Sequence, residues 1–181
     1  MAIPGSSFFT AFYEYHKDNP NCKIFLLGAA NGIAKKAMRN INEKVGREIV
    51  VGAHSPSYGF EKDRNECEDL IHIVNKSGAN VLLVGVGAPK QEKWIAANRH
   101  LLQARLISGI GAVFGFYGGT TPRPPQWMIA MGLEWLGRLI KEPRRMWKRN
   151  FVSTPKYLSD IVRLKLKKKN NKKTTPDYEI N

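Results

Sequence analysis

Two short stretches of this chain place glycine pairs beside polar side chains. Residues 81–94, VLLVGVGAPKQEKW, run four apolar residues into Gly85-Val86-Gly87, and a polar helix-like stretch with Gln91 and Glu92 follows Pro89. Residues 104–119, ARLISGIGAVFGFYGG, repeat the form with Gly109 and Gly111, then Phe114. A buried strand needs no glycine pair at its end unless the backbone turns sharply or something approaches it closely. A helix that starts behind such a turn offers free backbone N–H groups and the positive end of its dipole, which suits a phosphate. The plainer alternative is that the glycines only permit tight strand-to-helix turns. Neither stretch has the third glycine of the dinucleotide fingerprint, and no Walker pattern occurs.

Other chemistries find less support. The chain has no Asp-x-Asp pair. His16, His54, His72 and His100 stand in no metal-ligand spacing with one another, so no metal is expected. Cys22 and Cys67 form no CxxC pair and read as reduced thiols. No nucleic-acid-binding motif is present, and the sequence predicts no nucleic-acid partner. The N-terminus lacks a signal-peptide pattern, and no apolar run is long enough to span a bilayer.

The elements that must carry the glycine turns alternate along the chain. A helix is expected over 6–18, capped by Ser6, with Phe8, Phe9, Phe12 and Tyr13 on one face. A strand and glycine turn follow over 23–32, a helix over 33–44, and a short strand with a long loop over 48–60. A helix over 64–78, a strand over 80–87, a helix behind Pro89 and a strand over 104–111 complete the run. This spacing predicts an α/β fold, a Rossmann-like parallel sheet with helices on both faces. Gly28, Gly52, Gly85 and Gly109 are expected to follow the four strands, on the edge where open parallel sheets bind ligands.

The charge is uneven. The chain carries a net +14, and residues 134–181 hold 14 Lys and Arg against 5 Asp and Glu. Tryptophans and basic residues on amphipathic segments suit an anionic membrane surface; an ordinary packed helix with a solvated basic tail is the alternative. The predicted divisions are a core over 1–131, a basic amphipathic helical C-terminal appendage over 132–168, and a disordered tail over 169–181.

GVGAPKQEKW, then GIGAVFGFYGGTTPRPPQW, then GLEWLGRLIKEPRRMWKRN, in that order, resemble the WecG/TagA/CpsF family of bacterial glycosyltransferases over roughly residues 3–151. The resemblance implies transfer of an N-acetylmannosamine-type or related sugar from a UDP-sugar to an undecaprenyl-diphosphate-linked acceptor in cell-envelope polysaccharide or teichoic acid synthesis. It implies an inverting, metal-independent reaction with no cofactor, on the cytoplasmic face of the membrane, and is compatible with a homo-oligomer. Carried over position by position, it puts Gly85, Gly87 and Pro89 in the loop under the UDP-sugar and turns Gln91 and Glu92 toward the ligand. It makes Gly109, Gly111 and Phe114 a second ligand-facing turn and matches Tyr58 loosely to an aromatic loop. Arg123, Arg138, Arg144, Arg145 and Arg149 match basic positions that would hold the acceptor diphosphate.

Two departures bear on catalysis. The family's Phe-Asp-Phe reads here as Phe114-Gly115-Phe116. The family's Thr/Asn loop and catalytic aspartate lie ahead of the segment matching residue 3 and have no counterpart in this sequence. The core is therefore expected to be incomplete at its N-terminus and to transfer sugar poorly by itself. Gln91 and Glu92 remain candidate catalytic residues, and a catalytically inactive nucleotide-sugar-binding module or fragment is the alternative reading.

Overall fold

The computed structural model describes residues 5–120. Helix α1 spans Gly5–Tyr15, strand β1 Ile24–Gly28, helix α2 Ile33–Val45 and strand β2 Val50–His54. A 3₁₀ turn over Phe60–Lys62 leads into helix α3, Arg64–Lys76. Strand β3, Val81–Gly85, helix α4, Lys90–Asn98, strand β4, Leu106–Gly109, and the single-turn helix α5, Phe114–Tyr117, follow. The expected appendage and tail, 132–168 and 169–181, lie outside the described residues.

The strands form one parallel sheet in the order β2-β1-β3-β4. β1 and β3 are buried along their whole length. Their near-continuous apolar sequences, IFLL and VLLV, suit strands covered on both faces. Alternation sends Ile24, Leu26 and Leu83 to a cluster with Phe9 and Tyr13 of α1, Ala37 and Ile41 of α2, and Phe114. Phe25, Leu27, Leu82 and Val84 point the other way, to Leu70 and Val74 of α3 and Trp94 of α4. Helices therefore cover both faces, as the sequence predicts.

Three local expectations change. α1 includes Ser6, because the helix already runs from Gly5. Of its aromatic residues, Phe9 and Tyr13 are fully buried, whereas Phe8 lies half out of the core against the ring of Phe12. Gly52 does not follow β2 but sits inside it. The ring of Phe25 occupies the space that a Cβ on Gly52 would need, at 2.6 Å, so this glycine makes room for a neighbouring strand's side chain.

A parallel sheet with this order reverses its direction of growth between β1 and β3. Connections from those two strands leave toward opposite sides, which opens a crevice at their C-terminal ends. That crevice is where Gly28 and Gly85 meet, in register across the two strands.

Candidate functional site

The C-terminal edge is a set of backbones packed too closely for side chains. Gly28 has φ +137°, and a Cβ there would lie 2.5 Å from the carbonyl carbon of Gly85. Ala29, itself at φ 61°, donates its N–H to the Gly85 carbonyl at 3.2 Å. The Ser55 hydroxyl, just past β2, reaches the carbonyls of Gly28 at 3.1 Å and Ala30 at 3.0 Å. This serine fastens the first turn to its neighbour strand. A lone hydroxyl in a loop gives no spacing signal, so sequence reasoning missed it.

Gly85 lies beneath the second turn. A Cβ on it would come within 2.7 Å of both the Gly111 carbonyl oxygen and the Phe114 ring. Phe114 is fully buried. Its ring is turned into the core against Gly85, so it supports the turn from below where the sequence suggested a ligand-facing position. Gly87 is different. It has φ +90°, and the space where its Cβ would stand is open. It begins the turn that passes the cis Ala88–Pro89 peptide into α4.

Gln91 and Glu92, adjacent in the first turn of α4, have opposite environments. Gln91 is buried at 4% exposure. Its Oε1 accepts the Gly111 N–H at 3.1 Å, and its Nε2 donates to Glu92 Oε1 at 2.8 Å. A Cβ on Gly109 would fall 2.6 Å from Gln91 Nε2, so that glycine is the seat of the carboxamide. Glu92 is exposed. The expectation that both face a ligand thus divides: Glu92 opens to solvent, and Gln91 is turned inward between the two turns.

Tyr58 is fully exposed on the loop after β2. The Lys90 ammonium at the start of α4 stands 5.1 Å above the centre of its ring and 3.1 Å from Glu61 Oε2. This clip ties the loop to the N-terminus of α4. The Glu61 carboxyl is held below its ordinary value, first by its own backbone N–H and then by Lys90. The structure therefore brings Gly85, Gly87, Pro89, Gln91, Glu92, Gly109 and Gly111 together, with Tyr58 beside α4. Arg123, Arg138, Arg144, Arg145 and Arg149 lie outside the described residues.

The helix starts on this edge are unequal. Asp63 caps α3 by accepting the N–H groups of Asn65 at 3.0 Å and Glu66 at 3.2 Å. Neither α2 nor α4 has a side-chain cap. The first turn of α4 contains Glu92, whereas that of α2 contains no acid and carries Lys35 and Lys36. The start of α2 is accordingly the better terminus for an anion. Two open concavities, one beside His72 and Gln103 and one beside Lys23 and Arg105, lie at the opposite edge of the sheet, away from these turns. Among the described residues no three His, Cys, Asp or Glu side chains converge as a metal site. None of their helices is long and apolar enough to cross a membrane.

Comparison with known proteins completes the picture. The chain is 36% identical over 152 residues to the N-acetylglucosaminyldiphosphoundecaprenol N-acetyl-beta-D-mannosaminyltransferase of Bacillus subtilis (strain 168), covering 84% of this chain and 55% of that one. It is 29% identical over 161 residues to the protein of the same name from Bacillus spizizenii, covering 89% and 59%. The corresponding protein of Staphylococcus aureus (strain MRSA252) is 26% identical over 152 residues, covering 83% and 56%. The chain thus spans little more than half the length of these curated relatives. The sequence model of the Glycosyl transferase WecG/TagA/CpsF family matches residues 2–171, nearly the whole chain, and the chain belongs to that family.

Proposed function

We propose that this chain carries the nucleotide-sugar-binding core of a transferase that moves an N-acetylmannosamine-type sugar from a UDP-sugar to undecaprenyl-diphosphate-linked N-acetylglucosamine. The observation that carries this reading is the β1/β3 crevice. It joins two backbone turns at strand ends to two helix N-termini that have no side-chain cap, in a chain whose relatives bear the name of that reaction.

On this reading the UDP diphosphate sits at the start of α2, where free N–H groups, the helix dipole and Lys35 and Lys36 favour negative charge. Gly87 lets the sugar pass close to the backbone at the start of α4. Inverting transfer requires a base to take the proton of the acceptor hydroxyl as its oxygen attacks the anomeric carbon and the bond to UDP breaks. Backbone N–H groups and cationic side chains stabilise the charge that develops on the departing diphosphate. Glu92, exposed in the first turn of α4, is the candidate for that base. Arg123, Arg138, Arg144, Arg145 and Arg149 would serve the acceptor diphosphate, and the reaction would take place at the membrane surface that holds the lipid.

Calorimetry with residues 1–181 tests the reading. UDP is expected to bind, NAD and ATP are not, and Gly87→Val is expected to weaken the UDP-sugar by filling the open space beside the backbone that the sugar would pass. Equal affinity for the UDP-sugar in the wild type and the variant would remove the site assignment. UDP binding without transfer from UDP-N-acetylmannosamine would remove Glu92 as a base sufficient for the reaction and leave the binding function.

A further inference from the structure

Among the described residues, Gln91 is the sole buried residue with an amide or charged side chain. A buried carboxamide is costly unless its donor and acceptor are both used. Here both are used, and on different elements. Oε1 accepts the Gly111 N–H from the turn after β4, and Nε2 donates to the Glu92 carboxylate on α4. The orientation of the amide follows from its partners, since a backbone N–H needs the oxygen and a carboxylate needs the nitrogen.

The surrounding contacts extend this link across the whole edge. Gly109 leaves the space that the carboxamide fills. The Gly111 carbonyl rests on Gly85, and Gly85 lies against Gly28 across the β1/β3 crevice. Displacement of the turn at Gly111 would therefore be felt both at the crevice and, through Gln91, at the carboxylate of Glu92. A leucine or methionine of similar size would fill the space but hold neither partner.

We propose that Gln91 is a positioning residue that locks the β4 glycine turn to the Glu92 carboxylate, so that the turn and the carboxylate meet a nucleotide-sugar as one preorganised unit. Gln91 itself does not touch the ligand. The proposal rests on the nucleotide-sugar reading above only for the ligand, because the lock exists in the free protein.

The full chain is used for the test, with three variants. Gln91→Met keeps the volume and removes both hydrogen bonds. Gln91→Glu keeps an acceptor for Gly111 but sets one carboxylate against another. The double variant Gln91→Glu/Glu92→Gln reverses the second hydrogen bond and restores a complete set. Amide hydrogen exchange at Gly111 without ligand should rise about tenfold in Gln91→Met, the scale of one net hydrogen bond. It should return toward the wild-type rate in the double variant. UDP affinity should fall and recover in the same order. Uniform exchange rates across the set overturn the proposal, as does a double variant no better than Gln91→Glu. If the wild type binds no UDP, the nucleotide-sugar reading fails, while the Gly111 exchange rates still decide the lock. If Gln91→Met does not fold, the comparison of Gln91→Glu with the double variant decides it.

Discussion

A methyl group added at Gly85 would sit 2.7 Å from the Gly111 carbonyl oxygen and the Phe114 ring, and one added at Gly87 would meet nothing within 4 Å. The two glycines are therefore required for different reasons. At Gly85 the demand is space, at Gly87 it is a backbone angle of +90°, and at Gly28 it is both. Overpacking a filled site costs roughly 1–3 kcal/mol, and holding an L-residue in the left-handed region costs roughly 1–2 kcal/mol. Alanine at Gly28 should accordingly destabilise most, with Gly85→Ala and Gly87→Ala each showing one of the two costs. Denaturant unfolding measures this, and a Gly28→Ala variant no less stable than Gly87→Ala would contradict it. The apolar runs VLLV and IFLL followed by glycine made the strand ends legible in the sequence. The reason for each glycine was not legible, because it depends on which backbone or ring lies opposite. Gln91 shows the same limit. A glutamine in the first turn of a helix is ordinarily solvated, and only the seat left by Gly109 turns it inward.

The segment between β2 and α3 joins the site edge through two sets of polar contacts. Glu66 in the first turn of α3 accepts the Ser57 backbone N–H at 2.7 Å, and Asp63 caps the helix. Lys90 on α4 holds Glu61. Asp63→Ala should lower stability by about 1 kcal/mol, as is usual for loss of an aspartate cap, and thermal unfolding checks it. The Glu61 contact should depend on pH. Its carboxyl is held below the ordinary value in the folded chain, so its stabilisation is complete above the ordinary carboxylate range and is lost as pH falls through the lowered value. The loop carrying Tyr58 should therefore loosen from α4 in acid. Glu61→Gln should loosen it to a similar degree at neutral pH, read as faster exchange of the Lys62 and Asp63 amides. Unchanged exchange in that variant would show that Phe60, buried beneath the loop, is sufficient to hold it. Periodicity predicts α3 and its glycine stop well, since Leu70, Ile71 and Val74 recur on one face. Nothing local predicts the Lys90–Glu61 pair, whose members stand 29 positions apart and meet only because β3 returns the chain to the same edge.

At the scale of the whole chain, the strongest asymmetry is electrical. The net charge is +14, and residues 134–181 contribute 14 basic residues against 5 acidic ones. Under the proposed function the acceptor is a diphosphate on a lipid that does not leave the bilayer, so the sugar-binding core must come to the surface. A Lys or Arg near an anionic bilayer contributes on the order of 1 kcal/mol. If only a third of the fourteen act together, the summed attraction is enough to concentrate the protein at the membrane. It should weaken with salt, because exposed charges are screened over a Debye length of about 10 Å at 0.1 M. The α/β core has its own buried clusters on both faces of the sheet, all within residues 5–120. Ending the chain after Leu133 should therefore leave the core folded by circular dichroism while removing most co-sedimentation with anionic vesicles. The full chain should sediment at low salt and be released at high salt, and neutral vesicles should hold neither form. A truncated core that sediments as well as the full chain would place the membrane contact elsewhere, with the basic residues of α2 next to be tested. The arginines at 138, 144, 145 and 149 would then be left to the acceptor diphosphate alone, and their replacement should reduce transfer without changing vesicle binding.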